Sequence, residues 1–217
     1  MNSSERDATI IRYSNRFKEF GYSPKTLGWS KNKEIIRHKI MSQIGVLDNH
    51  SVLDVGCGFG DLLKYFKNEN IHIQYTGIDL NPDLVAIARD HHPEANFVIA
   101  DFEDGFFDNK YDWILSSGIF NHKLDDNYQF ITNVMRKMFE KCLKGFAADF
   151  LTSYVDFKEP NLFYAEPERV FSICKKFSKR IILRADYMPF ENCIYCFKND
   201  KFNEKTVFSE FDHEQSL

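Results

Sequence analysis

The middle of the chain alternates short apolar runs with amphipathic helical patterns, and this alternation constrains the possible folds more than any other feature. Strand-like runs occur at residues 51–55, 74–79, 96–100, 111–117 and 146–151. Strands that alternate with helices at this spacing form parallel βαβ units in a doubly wound sheet. Apolar runs such as NFVIA fit strands that are buried on both faces. The pattern therefore predicts an α/β fold.

The last two predicted strands change the direction of the sheet. KRIILRAD (179–186) and NCIYCF (192–197) are separated by only five residues. Because parallel neighbours need a crossover of about a dozen residues, these two strands must be antiparallel. The sequence thus predicts seven strands, with an antiparallel hairpin that closes a mostly parallel sheet. Helical spacing of apolar residues also predicts a helix over 126–143, which Gly145 ends.

Local patterning divides the chain into three parts. Residues 1–50 carry two helical patterns around a turn-rich stretch, so we expect a helical N-terminal segment. Residues 51–197 hold the seven predicted strands and form the expected core domain. Residues 198–217 are polar and charged, which is typical of a frayed tail.

Composition and charge exclude several classes of protein. The formal net charge is −4 and the pI is about 6.0, which argues against a general nucleic-acid binder. Residues 1–50 nevertheless carry a net charge of +4, so an anionic ligand would favour this segment. No apolar stretch is long enough for a membrane span, and there is no secretory signal or even-numbered cysteine framework. We expect a cytoplasmic protein with no nucleic-acid or membrane partner.

A glycine-rich turn, VLDVGCGFGDL (52–62), follows the first predicted strand. Its glycines permit a tight turn and the close approach of a ligand to the backbone at the start of a helix. The dinucleotide fingerprint would place a third glycine where Asp61 stands, which argues against a nicotinamide-dependent oxidoreductase. Asp54 precedes the turn, where it would repel a pyrophosphate and attract a ligand that carries an ammonium group.

Two further acids follow the next two strands. Asp79 ends the second strand, where a carboxylate can accept hydrogen bonds from both hydroxyls of a ribose. Asp101 follows the third strand and could accept a bond from an adenine amino group, with Leu80 and Phe102 packing on the ring. Each acid could instead be a solvated strand-end carboxylate or a cap. Together with the glycine turn, they favour a nucleoside-containing ligand.

Four motifs in this order resemble those of the class I S-adenosylmethionine-dependent methyltransferases: DVGCGFG (54–60), GIDLN (77–81), ADFED (100–104) and YDWILSSG (111–118). The resemblance covers roughly residues 45–197. It implies a Rossmann-like seven-stranded, mostly parallel sheet with a C-terminal antiparallel hairpin, helices on both faces, and S-adenosylmethionine as cofactor. The residues that it places around the methionine end of the cofactor are Asp54, Gly56, Cys57, Gly58, Gly60, Ser116 and Ser117.

The segment SSGIFNHKLDD (116–126) leaves the fourth strand where the acceptor of the methyl group should lie. We expect Phe120 and Asn121 to line the acceptor site, although Asn121 could instead cap the next helix. His122 is the candidate general base, since an unperturbed pKa near 6.5 suits that role. It could also be a structurally bonded loop histidine. In the loop after the fifth strand, Tyr154 and Tyr164 either shape the acceptor site or pack the loop.

The N-terminal segment resembles the lid helices of small-molecule methyltransferases. It would supply aromatic and positively charged side chains to the acceptor site: Tyr13, Arg16, Trp29, Lys31 and Arg37. Four stretches, RYSNRF, TLGW, SSGIFN and LTSYVDF, are similar to a bacterial group of surface-polysaccharide and secondary-metabolite pathways. No metal site is predicted, because Cys193 and Cys196 lie in a strand and point to opposite faces.

The resemblance implies methyl transfer to a small-molecule acceptor. Oxygen is favoured as the acceptor atom, and an anionic metabolite or a sugar-pathway intermediate is favoured as the acceptor molecule. Two alternatives stay open. One is a non-catalytic module that binds S-adenosylmethionine and acts through a partner. The other is an RNA or protein methyltransferase, although the negative net charge argues against RNA.

Overall fold

Seven strands form one mixed sheet in the computed structural model, which describes residues 1–28, 33–104 and 109–199. The strands are β1 (Ser51–Val55), β2 (Gln74–Asp79), β3 (Asn96–Ile99), β4 (Tyr111–Ser116), β5 (Cys142–Leu151), β6 (Arg180–Met188) and β7 (Glu191–Phe197). The helices are α1 (Ser3–Phe20), α2 (Glu34–Ser42), α3 (Asp61–Asn68), α4 (Pro82–His91), α5 (Asn127–Lys141) and α6 (Pro167–Lys175). Short 3₁₀ turns span Phe102–Asp104 and Ile119–Asn121.

The strand order is β3-β2-β1-β4-β5-β7-β6, and β1 to β5 run parallel. Leu53 packs on the face covered by α5 and α6, whereas its neighbour Val52 packs on the face covered by α2 and α3. Side chains of successive strand residues point to opposite faces, so a central strand covered on both sides must be apolar throughout. The predicted Rossmann-like α/β fold is confirmed.

The antiparallel end of the sheet is also confirmed. β7 lies between β5 and β6 and runs antiparallel to both, from the pair Gly145–Phe197 to the pair Leu151–Glu191 along β5. Every residue of β7 is buried. Cys193 and Cys196 pack in different core clusters on the two faces of the sheet, as their spacing in a strand predicts.

The predicted end of the helix before β5 is wrong. Helix α5 ends at Lys141, and the strand begins directly at Cys142, so Gly145 lies inside β5. A Cβ on Gly145 would come within 2.6 Å of the carbonyl oxygen of Cys196 and within 3.2 Å of the Trp113 ring. The glycine is therefore required by close packing across three strands and does not terminate a helix.

Helix α1 lies at the edge of the core and buries none of its residues. It contacts the start of α4 through polar groups: Ser14 Oγ donates to Asp83 at 2.6 Å, and Asn81 Nδ2 donates to the Ile10 carbonyl at 3.0 Å. Helix α2 is held more firmly, since Ile40 and Met41 are buried in the core. Within the described ranges, no helix combines the length and the apolar character needed to cross a membrane.

Candidate active site

A cavity of about 1010 Å³ opens at the carboxyl ends of the parallel strands. It lies where β1 has β2 on one side and β4 on the other, which is the switch point at which doubly wound sheets bind ligands. Helix α1 forms part of its wall through Thr9, Tyr13 and Arg16. Small-molecule sites span roughly 300–1,000 Å³, so this volume suffices for two ligands side by side.

The glycine turn forms one wall of the cavity. Gly56, Gly58 and Gly60 have positive φ angles of 78°, 53° and 79°, which side-chain-bearing residues rarely adopt. Gly56, Cys57 and Gly58 border the cavity, whereas a Cβ on Gly60 would face His92 and Phe97. The amides of Gly56 and Cys57 both donate to the Ile78 carbonyl, at 2.8 and 3.0 Å. The turn is thereby fixed to the end of β2.

Gly56→Ala tests how closely the turn is packed. The new Cβ would overlap the Ile119 side chain at a backbone conformation that disfavours alanine. We expect the free energy of unfolding to fall by about 2–4 kcal/mol in a denaturant titration. Gly28→Ala is the matched control, because Gly28 has φ of 83° but open space around its Cβ position, and it should lose only about 1–2 kcal/mol. Equal losses in the two variants would contradict the overlap.

Asp54 ends up as a buried carboxyl at the base of the cavity. It is 3% exposed, and the Tyr75 hydroxyl donates to its Oδ2 at 2.6 Å. The pKa of Asp54 is raised to about 7, mainly by burial and in part by the nearby Asp79, while the hydrogen bond from Tyr75 acts in the opposite direction. A cationic group placed here would ionise the carboxyl, so the site suits an ammonium ligand.

Asp79 links the glycine turn to the start of α4. Its Oδ2 accepts from the amide of Gly58 at 2.9 Å, and its Oδ1 accepts from the amide of Asn81 at 2.8 Å. Asn81 in turn caps α4 by accepting from the amides of Asp83 and Leu84, as the sequence predicts. The loss of solvent around Asp79 raises the pKa of its carboxyl. The carboxylate borders the cavity and retains acceptor capacity toward it.

Leu80, Asp101 and Phe102 together border one end of the cavity, which we call the adenine end. The Oδ1 of Asp101 accepts from the amide of Glu103 at 2.8 Å, and its Oδ2 lies 2.6 Å from Nη2 of Arg6. Phe102 is buried, so its ring is held in place. The structure brings together the three residues that the sequence analysis assigned to an adenine ring.

The two serines at the end of β4 have different surroundings. Ser116 is fully buried, and its hydroxyl donates to the Val55 carbonyl at 2.9 Å, so it faces the core. Ser117 and Gly118 border the cavity. Both are held by Asp149 of β5, which accepts from the Ser117 hydroxyl at 2.5 Å and from the Gly118 amide at 2.6 Å.

His122 and Tyr13 meet inside the cavity. The Tyr13 hydroxyl lies 2.6 Å from Nε2 of His122. Burial, assisted by Arg12 and Arg16, lowers the pKa of His122 to about 4. Burial and Asp79 raise the pKa of Tyr13 to about 12. At neutral pH the tyrosine hydroxyl therefore donates to a neutral imidazole, and the unperturbed pKa expected for this histidine does not apply.

The neighbours of His122 have structural roles. Phe120 is 1% exposed and packs on Phe130, so it belongs to the core. Asn121 borders the cavity, but its Oδ1 accepts from the Leu151 amide at 3.0 Å, and Asp126 is the residue that caps α5. Asn121 thus ties the turn before His122 to the end of β5.

The remaining predicted acceptor residues lie at the rim. Tyr154 is 68% exposed, and its hydroxyl donates to Glu168 at 2.5 Å. Tyr164 borders the cavity and accepts from the Glu159 amide at 3.0 Å. Arg16 also borders it, but its guanidinium donates to the carbonyls of Thr26, at 2.9 Å, and Lys25. Trp29 and Lys31 lie outside the described residues.

Several buried partners of the site were not predicted from the local sequence. Tyr75 and Asp149 are two of them, and Glu191 is the third. Glu191 forms a buried ion pair with Arg37, whose Nε lies 2.6 Å from the Glu191 Oε2, and Arg37 borders the cavity. A signal for Asp149 was present, because an acid inside the apolar run FAADFL is unusual. Tyr75 gave no such signal, since tyrosine is common in strands.

Comparison with known proteins is consistent with this geometry. A family model described as a methyltransferase domain matches residues 52–140. The putative methyltransferase Rv1506c of Mycobacterium tuberculosis is 32% identical over 161 residues, which cover 70% of this chain and 95% of that protein. A malonyl-[acyl-carrier protein] O-methyltransferase of Acetivibrio thermocellus is 37% identical, but over 32% of this chain and 25% of its own length.

Solved structures share the fold. The DhpI–SAH complex superposes with a TM-score of 0.66 at 13% identity, covering 90% of this chain and 98% of that one. The SAH-bound magnesium protoporphyrin IX methyltransferase of Synechocystis PCC 6803 superposes with a TM-score of 0.64 at 13% identity, covering 89% and 100% of the two chains. At this identity the likeness concerns the fold alone.

Proposed function

This chain belongs to the S-adenosylmethionine-dependent methyltransferases, and from that premise we propose that it methylates an oxygen atom of a small-molecule acceptor. The observation that carries the proposal is the Tyr13–His122 pair, which faces a cavity partly covered by α1. A covered cavity suits a small acceptor better than a macromolecular one. A hydroxyl acceptor needs a base, and among the described residues the Tyr13–His122 pair lies in the cavity just after the end of β4.

The residues of the cavity fit the cofactor. S-adenosylmethionine supplies a methyl group on a positively charged sulfur. We assign the ammonium of its methionine part to Asp54 and the glycine turn, the ribose to Asp79, and the adenine to the adenine end of the cavity. Two observations support this assignment: Gly56, Cys57 and Gly58 border the cavity, and the buried Asp54 carboxyl borders it beside them.

Tyr13 and His122 would together remove the proton of the acceptor hydroxyl. The acceptor hydroxyl donates to the Tyr13 oxygen while Tyr13 passes its own proton to Nε2 of His122. His122 is neutral at physiological pH because its pKa is about 4, so its Nε2 can accept a proton, as a weaker base than an unperturbed imidazole. The low pKa makes the imidazolium short-lived and allows its proton to return to solvent after the methyl transfer.

An anionic acceptor group is the second part of the proposal. Arg12 and Lys33 of the positively charged N-terminal segment border the cavity. Tyr154, Tyr164 and Phe190 also border the cavity and would contact the apolar part of the acceptor. We further propose that α1, within the N-terminal segment of residues 1–50, acts as a lid on the core of residues 51–197, whereas α2 of the same segment packs into that core.

Two measurements test the proposed function. The first is calorimetric titration with S-adenosylmethionine, S-adenosylhomocysteine and NAD, in which we expect micromolar binding of the adenosyl ligands and none of NAD. The second is methyl transfer from labelled cofactor to a panel of sugars, hydroxylated aromatics, carboxylic acids and amines. Turnover on hydroxyl or carboxylate members supports the proposal. Binding without turnover on any member would favour a non-catalytic module, and turnover on amines alone would contradict oxygen as the acceptor.

Cofactor affinity should depend on pH through Asp54. The unliganded carboxyl has a pKa of about 7, and the ammonium of the cofactor binds its ionised form. Ionisation is complete above the pKa and is lost below it, so we expect the Kd for S-adenosylhomocysteine to rise about 100-fold between pH 8 and pH 5. Tyr75→Phe removes a hydrogen bond that lowers this pKa and should move the midpoint to higher pH.

Two controls accompany this pH series. Asp54→Asn should bind weakly with no change between pH 8 and pH 5. Adenosine lacks the ammonium group, so its affinity for the unmodified protein should be flat over the same range. A flat Kd for S-adenosylhomocysteine in the unmodified protein would show that Asp54 does not bind the ammonium.

A further inference from the structure

Arg6 on α1 reaches two carboxylates beside the adenine end of the cavity. Its Nη2 lies 2.6 Å from Oδ2 of Asp101, and its Nη1 lies 2.9 Å from Oδ2 of Asp104. A third contact joins Nη2 to Oδ1 of Asp104 at 3.1 Å. These charges come from segments almost a hundred residues apart in the chain. One guanidinium thus bridges the lid helix and the turn that follows β3.

The two carboxylates differ in their access to the cavity. The Asp101 side chain is 7% exposed and borders the cavity, whereas the Asp104 side chain is 47% exposed and lies outside the cavity wall. Asp101 is held at both oxygens, by the amide of Glu103 and by Arg6. A carboxylate oxygen can accept more than one bond, so Asp101 keeps acceptor capacity toward a ligand.

Helix α1 has no fully buried residue, so polar contacts such as these add to the partial burial of Tyr13 and Phe17, whose rings pack on His122 and Phe59. Its closed position is supported by ion pairs, hydrogen bonds and ring contacts. At the adenine end these include the Arg6 contacts and the ion pair between the N-terminal ammonium of Met1 and Glu103. When only the closed form binds tightly, the apparent Kd is the intrinsic Kd divided by the closed fraction. A residue that closes α1 thus raises cofactor affinity without contacting the cofactor.

We propose that Arg6 is a specificity-determining residue of the cofactor site, an inference that rests on the proposed adenine contact of Asp101. By binding Asp101 and Asp104 together, Arg6 closes α1 over the adenine end and holds the carboxylate that accepts the adenine amino group. Closure of the lid and recognition of that amino group are then one coupled event.

Calorimetry with S-adenosylhomocysteine at low ionic strength tests the coupling. We expect Arg6→Ala to raise the Kd about tenfold, in line with loss of a charge-assisted hydrogen bond. Asp104→Asn should raise it about threefold, and because Asp104 lies outside the cavity wall, this effect has to pass through Arg6. The double variant should bind no more weakly than Arg6→Ala alone. Lys18→Ala is the matched control, since it removes an exposed positive charge from the same helix, and its Kd should be unchanged.

A second ligand shows whether Arg6→Ala changes the preference for the adenine amino group or only weakens ligand binding in general. S-inosylhomocysteine carries an oxygen where S-adenosylhomocysteine carries the amino group. The unmodified protein should prefer the amino ligand strongly, and Arg6→Ala should reduce the ratio of the two affinities as well as the affinities themselves. Asp101→Asn should bring the ratio close to one. A merely structural loss at Arg6 would weaken both ligands equally and leave the ratio unchanged.

The outcomes distinguish this inference from the proposed function. Unchanged Kd values for Arg6→Ala and Asp104→Asn, with a reduced ratio for Asp101→Asn, would overturn the role of Arg6 and leave the cofactor assignment intact. An unchanged ratio for Asp101→Asn would instead overturn the adenine contact itself. Circular dichroism and the unfolding midpoint of each variant show that the comparison is made between folded proteins.

Discussion

Asp79→Ala is expected to weaken the binding of S-adenosylmethionine and S-adenosylhomocysteine by about 10²–10⁴-fold. The proposed contact uses both ribose hydroxyls, and hydrogen bonds to a charged group contribute roughly 1.5–3 kcal/mol each. The same carboxylate fixes Gly58 and Asn81, so its loss also loosens the glycine turn. Calorimetric titration at pH 8 measures the effect.

Two variants show whether that loss is specific to the ligand. Asp79→Asn keeps the shape and one acceptor oxygen and should bind better than the alanine variant but well below the unmodified protein. Asp112→Ala removes a carboxylate that accepts from the amide and hydroxyl of Ser51, at the opposite end of the parallel strands. We expect it to lower stability with little change in Kd. A Kd for Asp79→Ala within threefold of the unmodified value would refute the ribose assignment.

His122→Ala is expected to reduce kcat on a hydroxyl acceptor by about 10²–10⁴-fold, the usual contribution of a general base. Cofactor affinity should stay within threefold, because His122 lies on the acceptor side of the cavity. Tyr13→Phe removes the hydroxyl that bonds to Nε2 of His122 and should show a loss of similar size. If the two groups act as one unit, the double variant will lose little more than either single variant.

The interpretation of the kcat values of the His122 and Tyr13 variants depends on which acceptor the panel identifies. A hydroxyl must give up a proton, whereas a carboxylate or phosphate oxygen is already ionised and needs no base. A loss of less than tenfold in both variants would contradict the proton relay and favour an ionised acceptor. His72→Ala provides the background control, because the His72 side chain is 81% exposed and lies outside the cavity wall.

The position of the proposed cofactor residues at one edge of the sheet was predictable, because the sequence motifs that mark them are short. Asp54 is the penultimate residue of β1, Asp79 ends β2 and Asp101 follows β3, and parallel strands bring their carboxyl ends to one edge of the sheet. Glycines at fixed spacing after a strand identify the turn between them. Each of these features lies within a dozen residues, where local chain geometry dominates.

The acceptor side was predicted only in part. His122 and Tyr13 were both singled out, but their direct contact was not, since 109 residues separate them. The pKa of His122 depends on burial and on two arginines of α1, which no local pattern reveals. Arg16 was expected to contact the acceptor, yet its guanidinium is engaged by backbone carbonyls of the following turn.

Periodicity and turn chemistry were thus sufficient for the α/β fold, the hairpin of β6 and β7, and the residues that follow each parallel strand. Tertiary structure alone decided which buried groups face each other: Tyr75 with Asp54, Glu191 with Arg37, Asp149 with the turn after β4, and Arg6 with Asp101. It also placed Gly145 inside a strand, against Trp113 and the Cys196 carbonyl. The physical reason is the separation along the chain of the residues that interact. Backbone conformation responds to neighbours in the chain, whereas burial, ion pairing and pKa are set by groups that only the folded sheet brings together.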